Sequence, residues 1–185
     1  MKIRTFIALD IPDPAISEML RIRDFNLGGD ARVRWESKDK LHITLKFLGE
    51  TDSDKIQNYS NALEDLLVNH KSMNLSFKEF GLFKRGEELK ILWAGLKKND
   101  ELTDLALQID NLFCTFGFEK EKRKFKPHIT LLRFRGNEDQ KKIVSLTGLK
   151  LPAIDFVSDT VTFYESKLTG GGSVYRSIKK IYLKK

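Results

Sequence analysis

The tetrapeptide His-Ile-Thr-Leu occurs twice, at residues 42–45 and 128–131, and takes two of the three histidines in the chain. At average residue usage, a given histidine precedes Ile-Thr-Leu with odds of about a few in ten thousand. Two of three doing so points to an internal duplication. The flanks agree: "RTFIALD" (Arg4–Asp10) aligns with "ILWAGLK" (Ile91–Lys97), and each is followed by a helical pattern and then by the motif. Leu9 to His42 spans 33 residues and Leu96 to His128 spans 32. No low-complexity linker divides the copies. Residues 1–185 therefore read as one bilobal domain carrying two copies of one α+β unit.

Local patterns fill in that unit. "IRTFIAL" (Ile3–Leu9) is a compact β-branched and aromatic run stopped by "DIPDP", which predicts a buried strand. Asp13 and Pro14 open a helix that Gly28–Gly29 ends. "ARVRW" (Ala31–Trp35) and "LHITLKFLG" predict strands, and from Thr51 the period becomes helical. Strands follow at Met73–Phe83 and Leu89–Leu96, flanking the turn "KRGEE". The second half repeats the order. A capped helix directs Leu102, Leu105, Ile109, Leu112 and Phe116 inward and stops at Gly117, "KPHITLLRF" is a strand, and "NEDQKKIVSL" is a short helix. "AIDFVSDTVTFYES" and "VYRSIKKIYL" close the chain as strands joined by "KLTGGGS".

In a strand, residues two apart share a face. His42 projects with Thr44 and His128 with Thr130, while Ile43, Leu45, Ile129 and Leu131 turn to the core. If the copies pack about a pseudo-two-fold axis, two imidazoles and two hydroxyls converge on a volume suited to one phosphate. Imidazole titrates near pH 6.5, so one ring can take a proton while the other gives one. Phosphoester cleavage by water needs both services, each typically worth ~10²–10⁴-fold. Threonine hydroxyls can donate to the non-bridging oxygens. The scheme needs no metal and no cofactor, and two histidines without a cysteine pair or an H-E-x-x-H spacing fit zinc poorly. His70, at a helix end, reads as a dipole partner.

Bulk composition sets the surroundings. The net charge of +7 favours polyanionic partners, nucleic acid being the commonest. Cys114 is the only cysteine, which excludes an internal disulfide and suggests a reducing, cytoplasmic address. The opening apolar segment is broken too early by Asp10 and Pro12 for a signal peptide, and no stretch approaches the ~20 apolar residues of a membrane span.

With these residues in view, the chain resembles the RNA 2′,3′-cyclic phosphodiesterase branch, or 2′-5′ RNA ligase family, of the 2H phosphoesterase superfamily. The paired H-x-T-x motifs carry the resemblance, supported by "RTFIALDIP", "VRWESKDKLHITLKFLGE", "GFEKEKRKFKPHITLLRF" and "SKLTGGGSVYRSI". It implies a bilobal duplicated fold, two antiparallel sheets forming a central cleft with helices outside. It also implies metal-independent opening of a 2′,3′-cyclic phosphate to a 2′-phosphate, with ATP-independent 2′-5′ ligation as the reverse. His42 would be the proton donor and His128 the acceptor, a choice that sequence symmetry alone cannot make. Thr44, Thr130 and Arg133 would bind phosphate. RNA ends, such as tRNA fragments, or cyclic nucleotides would be the partners of a monomer.

Parity adds conditions to these assignments. Strict alternation puts Arg133 on the Ile129 face, so a bulge after Thr130 must re-aim it. Lys46 shares the His42 face and is placed to meet RNA backbone. Trp35, Phe47 and Tyr175 match family positions that could stack a base, although parity sends Phe47 to the core. Arg123 fits either the cleft or a surface pair. Two alternatives stay open: a 2H phosphodiesterase acting on another cyclic phosphate or a 2′-5′ oligonucleotide, and a non-catalytic RNA-end-binding module.

Overall fold

The computed structural model describes residues 1–27, 33–136 and 138–185. Gly28, Gly29, Ala31 and Arg32, on which the expected helix stop and the start of the expected Ala31–Trp35 strand fall, lie outside that set, and Trp35 forms only an isolated bridge, to Leu132. Eight strands and four α-helices follow in the order β1 (Lys2–Asp10), α1 (Asp13–Leu27), β2 (His42–Asp52), α2 (Ile56–Leu67), β3 (Met73–Arg85), β4 (Glu88–Leu96), α3 (Asp100–Thr115), β5 (His128–Arg133), α4 (Gln140–Ser145), β6 (Ile154–Ser158), β7 (Thr160–Thr169) and β8 (Gly172–Tyr182). They build two four-stranded antiparallel sheets, ordered β2-β1-β7-β8 and β5-β4-β3-β6. β1-α1-β2 and β4-α3-β5 are equivalent strand–helix–strand units, each ending in a motif strand at its sheet edge. Those two edges, β2 and β5, lie against each other and join the sheets. The class is α+β, with a central cleft between the sheets.

Side-chain choice explains the layering. β1 is buried on both faces, with Phe6, Ile7, Ala8 and Leu9 all nearly inaccessible, so it reads as a continuous apolar run. α3 is capped by Asn99, whose side chain accepts from the Leu102 backbone N–H at 2.7 Å. It buries Leu102, Leu105, Ile109 and Phe113. Leu112, expected inward, is only partly buried, because the helical register gives that place to Phe113. Buried residues of both sheets and all four helices form one contiguous cluster.

Three local expectations change. β2 continues through Asp52, and a single 3-10 turn at Ser53–Lys55 delays the α2 helix that the period from Thr51 predicts. "AIDFVSDTVTFYES" is two strands in different sheets, since β6 pairs with β3 and β7 with β1 and β8. The apolar positions change parity at that crossing, from Ile154 and Phe156 to Val161 and Phe163. His70 accompanies the end of α2 as expected, but its Nε2 meets the Gln108 side chain of α3 at 3.2 Å.

Glycine is required opposite Trp93. A Cβ on Gly81 would fall inside the Trp93 indole, and one on Gly95 would crowd the ring's other edge. Gly81→Ala should destabilise the fold by about 1–3 kcal/mol, the usual cost of overpacking, seen as a lower denaturation midpoint.

Candidate active site

Both motif strands carry the same irregularity. Opposite β2, Ala8 pairs with Thr44 and Ile7 with Lys46, leaving Leu45 as an extra residue. Opposite β5, Trp93 pairs with Thr130 and Leu92 with Leu132, leaving Leu131 extra. The fourth letter of each HITL is therefore a β-bulge, and a bulge reverses the parity of the residues beyond it. The first six residues of both strands have the same burial pattern, in which the fourth and fifth are consecutively buried. Lys46 and Leu132 turn inward, while Phe47 and Arg133 turn to the face of the histidines and threonines.

This decides three of the sequence assignments. Arg133 shares the face of His128 and Thr130, re-aimed by the bulge. Phe47 is 69% exposed, which corrects the core placement that simple alternation gave. Lys46 is 6% exposed and ion-paired with Asp110 of α3, so it does not present its ammonium to RNA. Trp35 bridges to Leu132, and its ring lies 4.6 Å from the Arg23 guanidinium carbon of α1. Its neighbour Glu36 meets Arg133 at 3.3 Å, so extended backbone sends Trp35 to the opposite, core side. Tyr175 does line the cleft, edge-on to His42 with centroids 5.4 Å apart. Arg123 forms an exposed pair with Glu121 at 3.3 Å.

Each histidine sits in an aromatic wall. His42 stacks on Phe6 at 4.9 Å and lies 5.8 Å from the Tyr164 ring. His128 meets the edge of Phe83 at 4.9 Å and lies 6.2 Å from Trp93, over which Lys126 holds its ammonium at 3.9 Å. Burial, then the positive charges of Arg133 and His128, pull the His42 pKa down to about 4. Charge on His128 and Arg133 reaches His42, so the two half-sites share one electrostatic volume. Burial also lowers His128, against a hydrogen bond to the Lys126 carbonyl that raises it.

That hydrogen bond fixes a tautomer. His128 Nδ1 lies 2.6 Å from the Lys126 carbonyl oxygen, which can only accept, so Nδ1 carries the proton. Nε2 of the neutral ring keeps its lone pair. No hydrogen bond to the His42 ring appears among the described residues. Asp10, opposite His42 in the ladder, is occupied elsewhere: Thr162 donates to it at 2.8 Å and the Tyr164 hydroxyl at 2.9 Å. Burial raises its pKa and that of Tyr164.

Phe6, Glu36, Phe83, Trp93, Lys126 and Tyr164 were not singled out by sequence. For the four aromatic residues the only local signal was apolar patterning, which also describes core; Glu36 and Lys126 carried none, since their roles come from contacts with Arg133 and with Trp93 and His128. Among the described residues there is no group of three metal-ligating side chains, and no helix is long and apolar enough to cross a membrane.

The His42 shift has a stability consequence. The unfolded imidazole, near pH 6.5, protonates before the folded one, near 4, so the folded state loses ground as pH falls across that window. The full loss is at most about 3 kcal/mol. His42→Gln should flatten this part of the acid limb, which urea midpoints at pH 7 and pH 5 will show.

Two His-Thr pairs on abutting edge strands, with an arginine on the same face, define a two-histidine site of the phosphoesterase type. Solved structures share the fold: one titled a phosphoesterase superposes with TM-score 0.80 at 24% identity, and Escherichia coli LigT complexed with 3′-AMP with 0.79 at 24%, each over 100% of both chains. The 2′-5′ RNA ligase superfamily model matches residues 11–170. Relatives named RNA 2′,3′-cyclic phosphodiesterase include one from Thermotoga maritima, 31% identical over 94% of this chain and 91% of its own. Another, from Methanothermobacter thermautotrophicus, is 29% identical over 97% and 98%. The chain belongs to the 2′-5′ RNA ligase superfamily.

Proposed function

We propose that the protein hydrolyses the 2′,3′-cyclic phosphate of RNA ends to a 2′-phosphate, using His128 as base and His42 as acid. The observation that carries this reading is the Nδ1–H of His128 committed to the Lys126 carbonyl, which leaves Nε2 as a proton acceptor beside His42. His128 Nε2 takes a proton from water as its oxygen bonds to phosphorus. The bond from phosphorus to the 3′ oxygen breaks, and His42 gives that oxygen a proton. Thr44 and Thr130 hydroxyls and the Arg133 guanidinium donate to the non-bridging oxygens. Solvent then resets both rings. A 5′-hydroxyl in place of water gives a 2′-5′ linkage with the same proton movements.

Phe47 and Tyr175 are the stacking candidates for a base, with support from the exposure of one and the edge contact of the other to His42. In the same reading the chain is one bilobal domain of two copies, supported by the shared bulge, and acts as a cytoplasmic monomer on RNA ends or cyclic nucleotides. The net charge of +7 suits that substrate.

The test is turnover of a 2′,3′-cyclic nucleotide and of RNA ending in a cyclic phosphate, in EDTA, with products resolved as 2′- or 3′-phosphates. The kcat/KM profile follows the free enzyme, in which both imidazoles are held below their usual range. Its bell should peak below pH 6.5. A 3′-phosphate product, or a peak above pH 7.5, contradicts the assignment.

A further inference from the structure

Lys46 and Asp110 form a buried ion pair that the proposed chemistry does not use, with side-chain exposures of 4% and 9%. In the second copy the equivalent position is Leu132, fully buried and apolar. The strand geometry after the bulge therefore accepts a leucine, and the fold does not demand a charge there. Buried ion pairs contribute little net stability against apolar replacements of similar volume. The pair's other hydrogen bonds supply a reason for it. Lys46 Nζ also donates to the Glu119 carbonyl at 3.0 Å, and Asp110 accepts from the Glu121 backbone N–H at 3.2 Å. Residues 119–121 are thereby fixed to β2 and α3. The chain then runs through an exposed segment without regular structure to Lys126, whose carbonyl holds the His128 ring.

We infer that Lys46 and Asp110 are positioning residues for His128: they anchor the start of the 119–127 segment, so that the Lys126 carbonyl meets Nδ1 and keeps Nε2 free to accept a proton. A residue two places beyond Thr44 in the first motif thus sets the protonation geometry of the second motif's histidine. The inference rests on His128 being the base.

The variants are Lys46→Met and the double variant Lys46→Met/Asp110→Leu, which fills the site with apolar volume and removes both tethers. ¹⁵N NMR of the imidazoles reads which nitrogen of His128 carries the proton, independently of activity. The wild type is expected to show the Nδ1–H form and both variants a mixture, with kcat for a cyclic nucleotide lowered about tenfold and KM within about twofold. A folded double variant with His128 still in the Nδ1–H form overturns the inference, whatever its activity. So does failure of the double variant to fold, which would make the pair structural. A mixed tautomer with unchanged kcat supports the anchoring and instead contradicts the role of His128 as base.

Discussion

His128→Ala and His42→Ala each lose about 10²–10⁴-fold in kcat on a 2′,3′-cyclic nucleotide, with KM little changed. In the proposed mechanism the imidazoles act on protons that move only in the transition state, whereas Thr44, Thr130 and Arg133 would hold the phosphate in the ground state as well. The double substitution should cost little more than the worse single one, because a base without its acid leaves the 3′ oxygen to depart as an alkoxide. The two losses also differ in kind. Exogenous imidazole should partly restore His128→Ala, since its missing acceptor faces incoming water. It should help His42→Ala less, since that space lies between Phe6, Tyr164 and Tyr175. Retained turnover in either variant would remove that histidine from the chemistry. Full retention of RNA binding alongside lost turnover would separate the enzyme from a module that only holds RNA ends.

Asp110→Ala should cost about 3–5 kcal/mol of stability, the largest effect expected from a single change outside the core hydrocarbons. It leaves the Lys46 ammonium buried with only the Glu119 carbonyl as partner and frees the Glu121 N–H. For a chain of this size a kcal/mol moves Tm by about 2–4 °C, so a fall of roughly 6–20 °C is expected in a thermal scan. Glu64→Ala removes an ion pair of similar type, Glu64–Lys179 at 3.0 Å, but a solvated one. It should leave Tm nearly unchanged. Equal effects from the two substitutions would mean that Asp110 is not the counter-charge its geometry implies.

The site's centre was legible because it depends on period and identity alone. His42 with Thr44 and His128 with Thr130 share faces in any strand, and the repeat of HITL marks both strands as one design. Lys46, Phe47 and Arg133 were not legible from alternation, because their directions depend on the extra Leu45 and Leu131. A bulge is a relation between two strands, and the partner strands lie more than thirty residues earlier. Two consecutive apolar residues after Thr130, Leu131 and Leu132, were the available local hint in the second strand.

The sequence alignment of the two strand–helix–strand units was also two residues out. The ladder places Asp10 opposite His42 and Gly95 opposite His128, so Phe6 corresponds to Ile91, whereas the sequence match sets Arg4 against Ile91. A slip of two preserves which face each side chain occupies, so apolar patterning cannot detect it. The step from β6 to β7 between the sheets leaves a mark that reading one continuous run passes over, since the apolar positions change parity from Ile154 and Phe156 to Val161 and Phe163. Trp35 was misdirected because its neighbour Glu36 is drawn to Arg133, a contact across 97 residues of sequence.

One phosphate should engage both histidines at once, and the most direct measurement tracks both imidazoles by NMR during a titration with a 2′-nucleotide product. In the free protein both should titrate below pH 6.5. On saturation both resonances should shift together with one dissociation constant, and His42 should move upward in pKa as the phosphate charge offsets those of Arg133 and His128. A response from only one ring, or two different dissociation constants, would contradict a shared site.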